Sequence, residues 1–96
     1  MTDTSDQDLS PSLQELMRTF GDNVRAQRMQ RGLSQQVISA DLHMDQSFFA
    51  SIERGKRNLT FKTAQKIADG LDVDLLTLLT LAPELPNDKN KEGSPT

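Results

Sequence analysis

Apolar residues recur along this 96-residue chain at helical rather than strand spacing. Leu13, Met17, Phe20 and Val24 step by four, three and four, which is one stripe of a helix. Ser10 followed by Pro11 is a helix-start signal, and Ser12 with Glu15 fits a capping box. Gly21 interrupts the stripe at a cost of ~1 kcal/mol, so the run reads as one helix or as two segments breaking there. Arg25, Arg28 and Arg31 gather toward its end, where cations suit the helix dipole. Gly32 takes the position just past that end. A second helix opens after Ser34 as N-cap and turns Ile38 and Leu42 inward.

The stretch from Gln35 to Arg54 carries the most information. Its apolar residues, Ile38, Leu42, Met44, Phe49 and Ile52, do not fit one continuous helix, because the phase slips between Leu42 and Phe49. A helix ending near Leu42, a turn through His43, Met44 and Asp45, and a new helix from Gln46 with Asp45 as cap restore the spacing. This third helix runs to Arg54 and stops at Gly55. Thr60 caps a fourth helix with Ala64, Ile67, Ala68 and Leu71 inward. Asp72, Val73 and Asp74 lead into a fifth from Leu75 to about Leu81, ended by Pro83 and Pro86. The expected fold is all-α: five helices, no strand and no internal repeat. Residues 12–82 form the expected domain, between an acidic tail (1–11) and a polar tail (83–96), both expected to be disordered.

Composition narrows the function. With no cysteine, a disulfide framework and a thiolate metal site are excluded. The first ten residues are acidic and lack an apolar run, so they are not a signal peptide. The most apolar window, Val73 to Leu81, is too short to span a bilayer, and a cytoplasmic protein is expected. His43 is the only histidine, without ligands converging on it from other elements, so it reads as a turn residue. There is no phosphate-cradling glycine loop and no triad beyond His43. No enzyme, cofactor, metal or small-molecule ligand is expected.

The net charge of −3 argues against nucleic acid only until it is located. Between Met17 and Thr80 nine Lys/Arg face seven Asp/Glu, a net of +2, whereas the flanks hold seven acids and two lysines, a net of −5. Arg54, Lys56, Arg57 and Lys62 lie close together in sequence. The acidity belongs mainly to the ends, which leaves room for a local phosphate-binding face.

Two helices meeting over a short turn make the helix-turn-helix used on DNA. From Phe20 to about Thr80 the chain resembles the Xre/Cro-type, lambda-repressor-like family of helix-turn-helix regulators. The carriers are Phe20 and Gly21; Val24, Arg25 and Arg28; Gly32 to Gln35; Ile52 to Gly55 with Arg57; and Ile67, Ala68, Leu71 and Val73. The segment Ile52 to Thr60 is also similar to the controller proteins of restriction–modification systems. The resemblance implies that the third helix enters the major groove, with Gln46, Ser47 and Ser51 as base readers and Phe48 beside them. It implies phosphate contacts from Gln35 and, on the other side, from Arg54, Lys56, Arg57, Asn58 and the helix start at Thr60. It pairs Arg28 with Glu53 as a structural ion pair. The chain departs from the pattern at His43, where the family usually has glycine, and at Phe48, where it is often small or polar. Histidine tolerates positive φ better than most residues.

Leu75, Leu76, Leu78, Leu79 and Leu81 exceed what one face of a short helix can bury, and a surplus marks an interface. A homodimer through the fifth helix is expected. A two-fold dimer places its recognition helices ~34 Å apart, on a palindromic double-stranded operator. The expected function is a sequence-specific dimeric regulator of bacterial or phage origin, a repressor that can also activate. The alternative is an antitoxin or interaction module whose flank grips a partner protein.

Overall fold

In the computed structural model, residues 10–80 form five helices: α1 (Pro11–Gln30), α2 (Gln35–Asp41), α3 (Gln46–Glu53), α4 (Phe61–Leu71) and α5 (Leu75–Leu79). Among the described residues there is no strand. The expected tails, apart from Ser10 and Pro11, lie outside the described residues, as do Leu81 and the prolines expected to end α5. No helix among the described residues is long and apolar enough to cross a membrane.

Each helix begins and ends for a local reason. Ser34, Asp45 and Thr60 cap α2, α3 and α4 as the sequence predicts, each side chain accepting the N–H three residues on. The cap of α1 is Ser10 rather than Ser12. Ser10 Oγ accepts the Leu13 N–H at 3.0 Å, and Pro11 takes the first helical position, where no donor is needed.

Four helices close alike. At Gly32, His43, Gly55 and Asp72 the backbone turns left-handed, with φ of 68°, 57°, 73° and 59°. The next N–H then reaches back to the last turn: Leu33 to the Arg28 carbonyl, Met44 to Ser39, Lys56 to Ser51 and Val73 to Ala68. His43 therefore occupies the strained turn position expected of it, and Asp72 does the same without having been singled out.

Gly21 does not break α1. A Cβ there would lie 2.4 Å from the Ile52 carbonyl oxygen and 2.7 Å from that of Glu53. The residue lets α1 and α3 touch backbone to backbone, which repays its poor helix propensity. On the other side of α1, the Asn23 side-chain amide donates to the carbonyls of Leu78 and Thr80, both at 2.9 Å. One side chain thus covers the open end of α5.

Val24, Phe49, Ile52, Ile67, Leu71 and Leu78 are fully buried at the centre. Phe49 and Ile52 hold α3 on that core. Glu53 then fixes its rotation. Arg28 Nε donates to Glu53 Oε2 at 2.6 Å, Arg28 Nη2 to Oε1 at 3.0 Å and Arg28 Nη1 to the Leu33 carbonyl at 2.8 Å. Gln35 Nε2 donates to Glu53 Oε1 at 2.9 Å. The side chains of Arg28 and Glu53 are 12% and 3% exposed. The Glu53 carboxylate, by its hydrogen bond, raises Arg28 further above its ordinary pKa against the opposing effect of burial, so the guanidinium stays charged. The expected ion pair is present.

Gly21→Ala gains helix propensity but drives a methyl into two carbonyls, and should cost about 1–3 kcal/mol in urea unfolding. A neutral or stabilising result would show that α1 and α3 can separate freely. Arg28→Ala strands a buried carboxylate and should cost about 3–5 kcal/mol, more than the double change Arg28→Met with Glu53→Leu. Equal losses in the two would show that charge stranding is not the cause.

Candidate nucleic-acid interface

An eight-residue helix that buries Phe49 and Ile52 must turn another face to solvent. On α3 that face is the i, i+4 stripe of Gln46 and Ala50, continued by Arg54 just past the helix. Gln46 and Arg54 are exposed, and neither side chain engages another described residue. Ala50 is half-buried between them. Sequence reasoning passed over Ala50, although its spacing from Gln46 places it on the same face.

Ser47 is exposed, but its hydroxyl donates to the Asp45 carboxylate. That bond, together with the Phe48 N–H, holds the Asp45 carboxyl below the usual carboxylate range. The folded pKa is the depressed one, so the cap's contribution is present above the ordinary carboxylate value and fades as pH falls through the lowered one.

One expected reader, Ser51, is buried, and Phe48, expected beside the readers, is half-buried. Ser51 is 8% exposed; its hydroxyl donates to the Phe48 carbonyl at 2.7 Å and accepts from Arg57 Nε at 3.0 Å. Phe48 is half-buried, and the Arg57 guanidinium carbon lies 5.1 Å from its ring centroid. At 3.6 residues per turn Ser51 lies to one side of the Gln46–Ala50 stripe and Glu53 to the other. Ser51 and Phe48 therefore both engage Arg57. The sequence signal available was the position of Ser51 one residue before Ile52, on the inner flank of the helix.

The loop after α3 carries the positive charge. Lys56, Arg57 and Asn58 are exposed, and the Lys56 N–H is tied to the Ser51 carbonyl at 3.0 Å. Thr60 is exposed and occupied in capping α4 through the Thr63 N–H at 3.1 Å. Lys62 stands exposed on the first turn of α4. Gln35 is half-buried, its amide spent on Glu53. Gln46, Arg54, Lys56 and Asn58 are thus the exposed and unengaged part of the expected set, with Arg57 exposed and braced.

The expected interface leucines divide. Leu78 is wholly buried where α5 packs on α1 and α4, so it belongs to the core and is not available to a partner. Leu75 and Leu79 are half-buried, and Leu76 is 74% exposed. Leu79 also lines a shallow apolar groove with Leu16 and Phe61, the latter 81% exposed.

Comparison with known proteins places this geometry. A family model described as helix-turn-helix matches residues 24–78, which takes in the end of α1, the α2–turn–α3 unit, α4 and most of α5. An uncharacterised HTH-type transcriptional regulator, y4dJ, from Sinorhizobium fredii (strain NBRC 101917 / NGR234) is 32% identical over 72 residues, 75% of this chain and 94% of the relative. The crystal structure of the restriction–modification controller protein C.AhdI from Aeromonas hydrophila is 32% identical, with a TM-score of 0.62 over 65% of this chain and 94% of that one. The controller protein C.Esp1396I, solved as a tetramer on its natural 35 base-pair operator, is 27% identical, with a TM-score of 0.60 over 66% of this chain and 83% of its own. The match spans more than half the sequence and includes the ion pair, the left-handed turn and the outward stripe: the chain belongs to the Xre-like helix-turn-helix family.

Proposed function

We propose that this protein is a sequence-specific DNA-binding transcriptional regulator that sets α3 in the major groove of a palindromic operator as a homodimer. The observation that carries the reading is the pairing of an exposed polar stripe on α3 with a braced cationic loop at its end. The stripe offers a glutamine that can hydrogen-bond adenine in two places, with Ser47 beside it. The loop offers Lys56, Arg57 and Asn58 to the phosphates, supported by the start of α4 at Thr60. Holding Arg57 by Ser51 and Phe48 lowers the entropy lost when it meets a phosphate. That C.Esp1396I has been solved on operator DNA supports the same role for this relative of it.

The dimer reading is supported by Leu76, a large apolar side chain left in solvent at the end of the domain. Leu75 and Leu79 flank it, and through Leu79 the apolar surface continues to Leu16 and Phe61. Repression then follows from occupying an operator that overlaps a promoter, and activation from a site placed upstream of one.

Arg57→Ala should weaken binding to every duplex alike and lower the slope of log affinity against log salt by about 1. Gln46→Ala should cost about 1–3 kcal/mol on the preferred site and relax selection at one base pair. Titrations on selected and random duplexes separate the two, and indistinguishable effects on both duplexes would sink the assignment of Gln46 to base reading. For the dimer, Leu76→Asp should yield a folded monomer by sedimentation, since the side chain contributes little to the core. A wild-type protein that sediments as a monomer at high concentration would end that part of the proposal.

A further inference from the structure

The start of α1 emerges beside the loop that follows α3. Ser10 Oγ is 3.0 Å from the Leu13 nitrogen, and Leu13 and Leu16 line the same shallow groove as Arg57, Asn58 and Thr60. The Cα of Arg18 is 2.9 Å from the position that a Cβ on Gly55 would take. The first half of α1 is therefore laid along this loop. The chain that precedes Ser10 joins the domain next to it.

The charges on the two sides are opposite. From Arg54 to Thr63 there are four cations and no acid, and the first half of α1 adds Arg18 against Glu15. Arg18, Lys56, Arg57 and Lys62 are exposed, and among the described residues none of them has an ion pair. Residues 1–9, which lie outside the described residues, carry Asp3, Asp6 and Asp8 and no cation. A stretch of that length reaches at most ~30 Å, ample to return from Ser10 to the loop. Exposed ion pairs are individually weak, so such a segment would not compete for the loop if it were free in solution. A short tether changes this, because it raises the local concentration of the carboxylates to about millimolar.

We propose that residues 1–9 are a tethered competitor for the phosphate site: Asp3, Asp6 and Asp8 pair with Arg18, Lys56, Arg57 and Lys62, and must leave before a DNA backbone can enter. The proposal rests on the reading that this loop meets phosphate. Carboxylates and phosphates exclude each other there because both neutralise the same cations. The segment therefore lowers affinity for every duplex by one factor and leaves base preference alone. Salt screens the internal contact, so the penalty is largest at low ionic strength. On this account the acidic flank is a regulator of the basic domain, and the low net charge of the chain is part of its DNA binding.

The test uses the full chain as wild type and as two triple variants. The first, Asp3→Asn with Asp6→Asn and Asp8→Asn, removes the competitor. The second, Glu84→Gln with Asp88→Asn and Glu92→Gln, changes the net charge equally from the other end. At about 50 mM salt the first variant should bind a selected operator and a random duplex about two- to fivefold tighter than wild type, with a steeper salt slope. The second variant should stay close to wild type. Without DNA, the Arg18 and Arg57 Nε–H signals and the Lys56 amide should differ between wild type and the first variant, and coincide at about 1 M salt. Equal gains in both variants, with no difference at those signals, would reduce the effect to net charge and overturn the proposal. Signals that change with protein concentration would place the segment on a second copy and overturn the tether. If wild type and variants bind no duplex, the DNA reading falls, while the loop signals still decide whether the segment docks.

Discussion

The buried pair of Arg28 and Glu53 is the constraint on which the presentation of α3 depends. A helix of eight residues has no independent stability in water, so its direction and rotation come from what it packs against. Phe49 and Ile52 fix it to the core but leave it free to roll, because apolar contact is not directional. A carboxylate that must meet both Nε and Nη2 of one guanidinium is directional. Removing two charges from water offsets much of their attraction, so the pair is better understood as specifying an orientation than as a reservoir of stability. Gly21 completes the arrangement, since the pair can reach across only if the backbones of α1 and α3 come this close.

The same pair links structure to recognition. Glu53 takes a third hydrogen bond from Gln35, and Arg28 spends a donor on the Leu33 carbonyl, so α1, the loop before α2, the first residue of α2 and the end of α3 share one network. The two helices of the motif are therefore held not only through their turn but also at the far end of α3. This relieves the turn of accuracy. His43 can occupy a left-handed position at some strain because the relation between α2 and α3 is set elsewhere as well.

Much of this was legible in the sequence. The five helices, the caps at Ser34, Asp45 and Thr60, the left-handed residues at Gly32, His43 and Gly55, and the Arg28–Glu53 pair all follow from spacing, from residues with strong local preferences, or from family resemblance. What was not legible depends on contacts between elements. The continuity of α1 through Gly21 needs the backbone of α3 in view, because propensity alone counts only the cost. The start at Ser10 and Pro11 was legible beside a second candidate cap at Ser12, and the structure gives the cap to Ser10. Leu78 could not be told from Leu76 without knowing which face of a five-residue helix meets α1 and α4. Asn23 gave no local signal at all, since its partners lie more than fifty residues away.

The contacts of Ser51 and Phe48 with Arg57 bear on what kind of specificity the proposed DNA-binding surface can have. With both turned toward Arg57, the proposed reading of base edges would fall to Gln46 and Ser47, with Ala50 offering a methyl-sized contact to a thymine methyl. Ser47 is partly committed to the Asp45 cap. On that proposal direct readout per protomer is narrow, dominated by one glutamine, and a single half-site of that kind discriminates weakly among many competing sequences. The proposed homodimer would add discrimination by pairing two half-sites at fixed spacing, and through the shape of the backbone between them. A rigid brace on Arg57 suits the second source, since a cation that cannot follow the phosphate penalises DNA whose backbone is in the wrong place. On the proposed reading Phe48 would contribute to specificity through Arg57, because the ring limits where that guanidinium can be.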